Sequence, residues 1–400
     1  MVKKHARQIP ENRRIALIVE SSGSAGRELL RGVARYAREK GNWSIYYEPS
    51  HIPDVVPTWL NRWRGDGLLA RVRNRKMAAR LLRMGLPVVD VLGNMPEWPF
   101  PLVQVDDAGV ASLAAEHLLE RGFRKFAYCA IGDSFWAQCR GEAFCNTIGA
   151  RGHSCEVYQL PRRDSREWYS DALRRRLGDW VQRLPKPIAI FASNDRAGHR
   201  VLEACRSRGL AVPEEVAVLG VDNDQTICEL CDPMLSSIVP VHDQVGYRAA
   251  ELLDRLIAGH PPAERPVFLQ PTRVMVRQST DVLALEDPDV AAAVRFIRQH
   301  ACRGIGVEDV ARHVALSGST LQRRFHRDLS RSVHEEIIRA RIQRASELLA
   351  DTQMPLAQIA QVTGFEHQEY LGAVFKVQTG FTLGEYRSRA LRPTSDLRTA

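Results

Sequence analysis

A short pattern occurs twice within residues 304–386, and this repeat limits that part of the chain to two matching helical hairpins. The first copy reads Val310-Ala311, then Ala315-Leu316-Ser317, then Leu321 and Phe325. The second reads Ile359-Ala360, then Gly364-Phe365, then Tyr370-Leu371 and Phe375. Ala311 to Ala360 spans 49 positions and Phe325 to Phe375 spans 50, so the second turn holds one extra residue. Each copy places an apolar residue and Ala before a small-apolar turn, and an amphipathic segment after it. Two helices that cross steeply need this arrangement, because Ala permits close approach and a small residue makes the turn. The tandem predicts helix-turn-helix motifs at about 307–327 and 356–378.

Composition bounds the rest. Four hundred residues suffice for two or three domains. No apolar run reaches membrane-spanning length and the start is polar, so the reading is cytoplasmic with no membrane partner. Eight scattered cysteines suit a reducing compartment. Cys228 and Cys231 form a lone CxxC without a second pair at zinc spacing, so neither metal nor cofactor is expected. The net charge of +9 permits a nucleic-acid partner. Residues 286–400 carry 16 Lys and Arg against 14 Asp and Glu, however, so the placement of arginines must carry that argument rather than net charge.

From Arg14 onward, apolar β-rich runs alternate with amphipathic helical stretches: 15–19, 43–47, 67–70, 88–91, 102–105, 126–131, 156–160, 188–192 and 216–221 read as strands. That alternation predicts two doubly wound parallel sheets. Ligands of such sheets bind beyond the carboxyl ends of the strands, where this chain is polar. Ser21, Ser22 and Arg27 follow the first strand, and Asp106 and Asp107 follow 102–105. Asp133, Trp136 and Arg140 follow 126–131, Asn194 and Asp195 follow 188–192, and Asp222 to Asp224 follow 216–221. Amides, carboxylates, arginine and an indole face suit a sugar, whose hydroxyls donate and accept while its C–H face stacks. Asp106 and Asp107 read as caps of the next helix. GxGxxG after the first strand, a Walker-type loop and HExxH are all absent, so no enzyme is predicted.

Val105-Asp-Asp, 116–122, Ala192-Ser-Asn-Asp195, 218–223 and Arg277-Gln-Ser-Thr280 resemble blocks of the lac/galactose repressor family's ligand-binding domain, which is related to periplasmic sugar-binding proteins. In that family the DNA-binding helices precede this domain; here only about a dozen residues precede the first strand. The C-terminal hundred residues instead resemble the DNA-binding domain of the AraC/XylS family, through Ser317, Leu321, Arg323 and Phe325 in one copy and Gly364-Phe365, Phe375-Lys376, Gly380 and Tyr386-Arg387 in the other. The combination resembles the xylose operon regulator family. The fold implied is a two-lobed, type I periplasmic-binding-protein-like α/β domain followed by an all-α domain with two helix-turn-helix motifs. The expected division is a tail at 1–13, an effector domain at 14–282, a linker at 283–287, a DNA-binding domain at 288–392 and a tail at 393–400.

This resemblance implies a sugar-responsive transcriptional activator of pentose catabolism, with D-xylose as effector, promoter DNA and RNA polymerase as partners, and a homodimeric state. Another sugar or small metabolite in the same architecture is the alternative. Expected effector contacts are Ser22, Arg27, Trp136, Arg140, Asn194 and Asp222. Arg140 stands out, because an arginine on an otherwise apolar helix needs a partner. In the first motif Ser317 should cap the recognition helix and leave Ser319, Thr320, Gln322 and Arg323 outward. Gln and Arg read adenine and guanine edges, and Arg324 and Arg327 suit phosphates. The second motif offers His367, Gln368 and Glu369 at its helix start and Lys376 for phosphate. Gly372 and Ala373 occupy its next exposed turn, so the first copy is expected to read bases and the second to clamp.

Overall fold

The structure is a computed structural model describing residues 12–49, 56–94, 97–132, 134–163, 165–261, 266–281, 287–329 and 331–391. Residues 283–286 of the expected linker, 1–11 of the first tail, all of 393–400, and Asp133 lie outside the described residues. Internal contacts divide the chain into two compact units, with the division between Val282 and Leu283.

The first unit is built of two lobes. One lobe holds β1 (Arg13–Ile18), α1 (Ser24–Lys40), β2 (Trp43–Tyr47), β3 (Gly67–Ala70), α2 (Arg75–Arg83) and β4 (Val88–Asp90), whose strands make a parallel sheet ordered β2-β1-β3-β4. The chain then passes through β5 (Val103–Val105) and α3 (Asp107–Glu120) to β6 (Phe126–Ile131), α4 (Phe135–Ala150), β7 (Cys155–Leu160), α5 (Asp171–Arg183), β8 (Ile188–Ala192), α6 (Asp195–Ser207), β9 (Val216–Val221), α7 (Gln225–Leu230) and β10 (Ser236–Val239). Helix α8 (His242–Ile257) returns to the first lobe, and β11 (Val267–Leu269) and β12 (Arg273–Met275) follow. The second sheet is ordered β12-β10-β9-β8-β6-β7. Strands β6, β8 and β9 are buried along their whole length, as a sheet covered on both faces requires.

Two details depart from an all-parallel expectation. Strand β12 runs antiparallel to β10, and β5 joins neither large sheet but pairs with β11. Three-residue strands at an edge carry too few side chains to show a period. The crossing of α1 with α8 depends on glycine: a Cβ on Gly32 would lie 1.8 Å from the Asp243 carbonyl oxygen, and one on Gly246 would lie 1.9 Å from that of Leu29. Cys228 and Cys231 are both buried thiols of the second lobe's core.

The second unit is helical: α9 (Pro288–His300), α10 (Val307–His313), α11 (Gly318–Leu329), α12 (Val333–Asp351), α13 (Leu356–Val362), α14 (Gln368–Thr379) and α15 (Leu383–Leu391). Asp287 caps α9 by accepting from Asp289 N at 3.0 Å and Val290 N at 3.3 Å, with Pro288 at the first helical position. Ser332 and Glu335 form a capping box on α12. That long helix contributes Val333 and Ile337 to a core around Leu321 and Phe325, and Ile338, Ile342, Ala345 and Leu349 to a second around Leu371 and Phe375. The repeat is also visible in the backbone. Ala315 in one turn has φ 53 and Gly364 in the other has φ 81. A Cβ at Gly364 would meet Ala301 O, Cys302 Cα and Arg341 Nε, each at 3.2 Å, so the second turn needs glycine for space as well as for conformation.

Candidate functional site

In the first unit the carboxyl ends of β1, β3, β7, β8 and β9 bring charged side chains from both lobes to one cleft. Glu20, after β1, lies at its centre. Arg73 reaches it from the same lobe at 2.9 Å, and Arg163 reaches it from the opposite lobe at 3.1 Å. Ser22 donates its hydroxyl to the same carboxylate. Burial would raise the Glu20 pKa, but the Ser22 hydroxyl and Arg73, Arg71 and Arg163 outweigh it and hold the carboxyl below its ordinary value. Two more bonds cross the cleft: Arg196 Nη2 donates to Ser22 O at 2.9 Å, and Arg27 pairs with Asp224 at 3.5 Å.

On the second lobe, Arg140 projects from α4 and is 5% exposed. Its Nε and Nη2 donate to Asp107 Oδ1 at 3.0 and 2.6 Å, and its Nη1 donates to Ser193 O. The Trp136 ring centroid lies 4.9 Å from the guanidinium carbon. Burial opposes the charge on Arg140, yet Asp107, Tyr128 and Asp222 prevail and hold its pKa above the ordinary value. Asp222 has φ 103, a backbone region that non-glycine residues rarely occupy and that recurs at ligand sites. His242 Nε2 lies 3.1 Å from its Oδ1. Asp222 is also the carboxylate whose field acts on both Arg71 and Arg140.

The expected effector residues therefore divide. Arg140, Trp136 and Asp222 belong to the second lobe, where Arg140 lies over Trp136 and feels the field of Asp222, whereas Ser22 of the first lobe meets Arg163 and Arg196. Asn194 caps α6, its Oδ1 accepting from Ala197 N at 3.0 Å. Arg27 is exposed, and its guanidinium bridges Asp224 and Ser21 O. Of the two aspartates expected to cap α3, Asp106 does so at 3.0 Å, whereas Asp107 turns inward to Arg140. Asp195 is buried, accepts from Asp224 N at 2.7 Å and Ser237 Oγ at 2.6 Å, and is held well above the usual carboxylate range by burial and by Asp222. Sequence reasoning passed over Glu20, Arg71, Arg73, Arg163 and Arg196. Their position just after strands, or at a helix start, was the available pointer.

In the second unit, Ser317 Oγ accepts from Thr320 N at 3.2 Å and so caps α11. Ser319 and Arg323 are exposed, and Arg323 has no hydrogen bond or ion pair among the described residues. Gln322 differs from the outward placement expected. It is half-buried, and its Oε1 accepts from Val333 N at 3.3 Å, because one turn on it meets the start of α12. Thr320 is likewise half-buried. Arg324 pairs with Asp289 at 2.8 Å and Asp287 at 3.2 Å, and Arg327 pairs with Asp287 at 2.9 Å and with Asp328. His367, at the N-cap of α14, and Gln368, Glu369 and Lys376 on that helix are all exposed. Tyr370, not singled out from sequence as a contact, is 50% exposed on the same helix.

Comparison with known proteins places this geometry. The XylR N-terminal domain matches residues 14–102, the periplasmic binding protein-like domain residues 115–280, and a helix-turn-helix domain residues 310–389. The xylose operon regulatory protein of Escherichia coli K12 is 30% identical over 382 residues, covering 94% of this chain and 96% of that one. Its counterpart in Haemophilus influenzae is 29% identical over 382 residues, covering 94% and 98%. A solved xylose-binding transcription activator superposes with a TM-score of 0.73 at 29% identity, over 96% of this chain and 99% of that one.

Proposed function

The chain belongs to the family of xylose operon regulatory proteins, and from that premise we propose that D-xylose is its effector and that it activates pentose-catabolism genes as a homodimer in the cytoplasm. The observation that carries the effector reading is Asp222. Its backbone is held in a costly conformation, its carboxylate stays half-exposed in the cleft, and its field reaches arginines of both lobes. Carboxylates and guanidinium groups opposed across a cleft suit a molecule whose every hydroxyl can donate and accept. Arg140, Asp222, Ser22 and Trp136 are the proposed first contacts, together with the amide nitrogen of Asn194, which has no hydrogen bond among the described residues.

Arg163 and Arg196 already tie the lobes across the cleft through Glu20 and Ser22. A sugar bound between the lobes adds bonds available only when they are close, so it shifts the population toward closure by its differential affinity for that state. In the proposed dimer this alters how the DNA-binding units are presented to the promoter and to RNA polymerase. Ser319 and Arg323 would read base edges from α11, and His367, Gln368 and Glu369 would approach from α14. Lys376, Arg327 and Thr320 would contact the backbone.

Isothermal titration of the full-length protein with D-xylose, D-ribose, L-arabinose and D-glucose tests the effector. One site per chain with D-xylose tightest is expected. Tight binding of another sugar without heat from D-xylose would overturn the xylose assignment.

A further inference from the structure

Arg71 is the one arginine of the cleft described above whose guanidinium has no hydrogen bond or ion pair among the described residues. It directly follows β3, and its N–H donates to Ile18 O at 3.0 Å, so it sits at the carboxyl edge of the first lobe's sheet beside Glu20. The next residue is pinned as well, Val72 N donating to Asp90 Oδ1 at 3.1 Å. The residue is half-buried, and its Nε is buried with no acceptor among the described residues. Every carboxylate whose field reaches it is occupied elsewhere. Glu20 holds Arg73, Arg163 and Ser22. Asp90 accepts from the backbone of Val72, Leu92 and Gly93. Asp222 is engaged by His242.

A buried donor without an acceptor destabilises a protein, and such groups call for an explanation. We infer that Arg71 donates its two-pronged guanidinium to adjacent hydroxyls of the effector, making it a specificity-determining contact supplied by the first lobe. The inference rests on the monosaccharide reading of this cleft. The fields of Glu20 and Asp222 both reach the guanidinium, which favours a neutral polyol: its hydroxyls can donate to those carboxylates while accepting from Arg71, whereas a ligand carboxylate would meet two like charges. Only the planar fork of arginine spans two neighbouring oxygens, so lysine does not replace it. Because Arg71 and Asp222 belong to opposite lobes, the hydroxyls that join them also hold the cleft shut.

The test uses full-length protein carrying Arg71→Met or Arg71→Lys. Unliganded thermal unfolding is combined with titration of D-xylose and D-glucuronate. Without sugar, Arg71→Met is expected to melt at or above the wild-type temperature, because it removes a buried Nε donor that has no acceptor among the described residues. Its D-xylose affinity should fall about 10- to 100-fold, the range for hydrogen bonds to a charged group. Arg71→Lys should fold and still lose most of that affinity. A structural arginine gives the opposite pattern, a lower melting temperature without sugar and unchanged affinity in either variant, and that result overturns the inference. Tighter binding of D-glucuronate than D-xylose, abolished in Arg71→Met, overturns the neutral-hydroxyl assignment. A wild-type protein that binds no monosaccharide overturns the reading beneath it instead.

Discussion

Arg140→Met would leave the Asp107 carboxylate buried with no cation. In the wild type these side chains are only 6% and 9% exposed, and Nη2 lies 2.6 Å from Oδ1. Removing one partner of a buried ion pair costs about 3–5 kcal/mol, because the remaining charge keeps its desolvation penalty without the attraction that offset it. Loss of the guanidinium over Trp136 adds roughly 1 kcal/mol. For a domain of this size each kcal/mol shifts the melting temperature by roughly 2–4 °C. The sugar-free variant should therefore melt roughly 10 °C or more below wild type. Adding Asp107→Asn removes the orphaned charge and should recover at least half of that loss, a coupling that a double-mutant cycle isolates. Differential scanning calorimetry without and with D-xylose separates the two roles proposed for Arg140. An unchanged sugar-free melting temperature in Arg140→Met would refute the structural pair. Wild-type D-xylose affinity in the folded variant would refute the effector contact.

Other consequences follow from single residues. His117 is buried between Thr280 Oγ1 at 3.0 Å and Arg121 at 3.1 Å, and burial followed by Arg121 pushes its pKa down to about 3. The unfolded chain takes up that proton near pH 6.5, so this histidine's contribution is present above about pH 6.5 and is lost as pH falls toward 3. Stability should drop by about 2 kcal/mol between pH 7 and pH 5 from this group alone, and urea titrations of His117→Gln should show a flatter profile over that range. Ala315, at φ 53, occupies the place that Gly364 occupies in the other copy. Ala315→Gly should stabilise the second unit by about 1 kcal/mol by relieving left-handed strain, and a lower unfolding midpoint would refute this. Arg323→Ala should relax base preference by about 1–3 kcal/mol at one operator position, more than His367→Ala does. Equal effects in a binding-site selection assay would return the two motifs to parity.

The proposed inequality of the motifs draws on both sequence and structure. Gly372 and Ala373 show in the sequence that α14 lacks long side chains at a usual reading position. That Gln322 is turned to Val333, and that Arg324 and Arg327 are held by Asp287, Asp289 and Asp328, are contacts across turns and helices. For phosphate to engage those arginines it must displace carboxylates already in place. On the proposed function, base reading by the first motif would therefore rest chiefly on Arg323 and Ser319.

Local pattern was enough to read the large strands, most of the helices between them, both helix-turn-helix motifs and the Asp287-Pro288 helix start, because periodicity, capping and turn chemistry act within a few residues of one another. It was also enough to find the strand ends at which the cleft forms. Partnership in the cleft was a matter for the tertiary structure alone. Arg140 meets Asp107 across 33 positions, Glu20 meets Arg163 across 143, and the short edge strand β12 finds β10 in the antiparallel sense. An arginine in a sequence carries only the need for an acceptor. Folding decides whether a carboxylate arrives, as at Arg140, or whether the guanidinium is left without one among the described residues, as at Arg71, since desolvation and ion pairing depend on what the other lobe brings within a few ångströms.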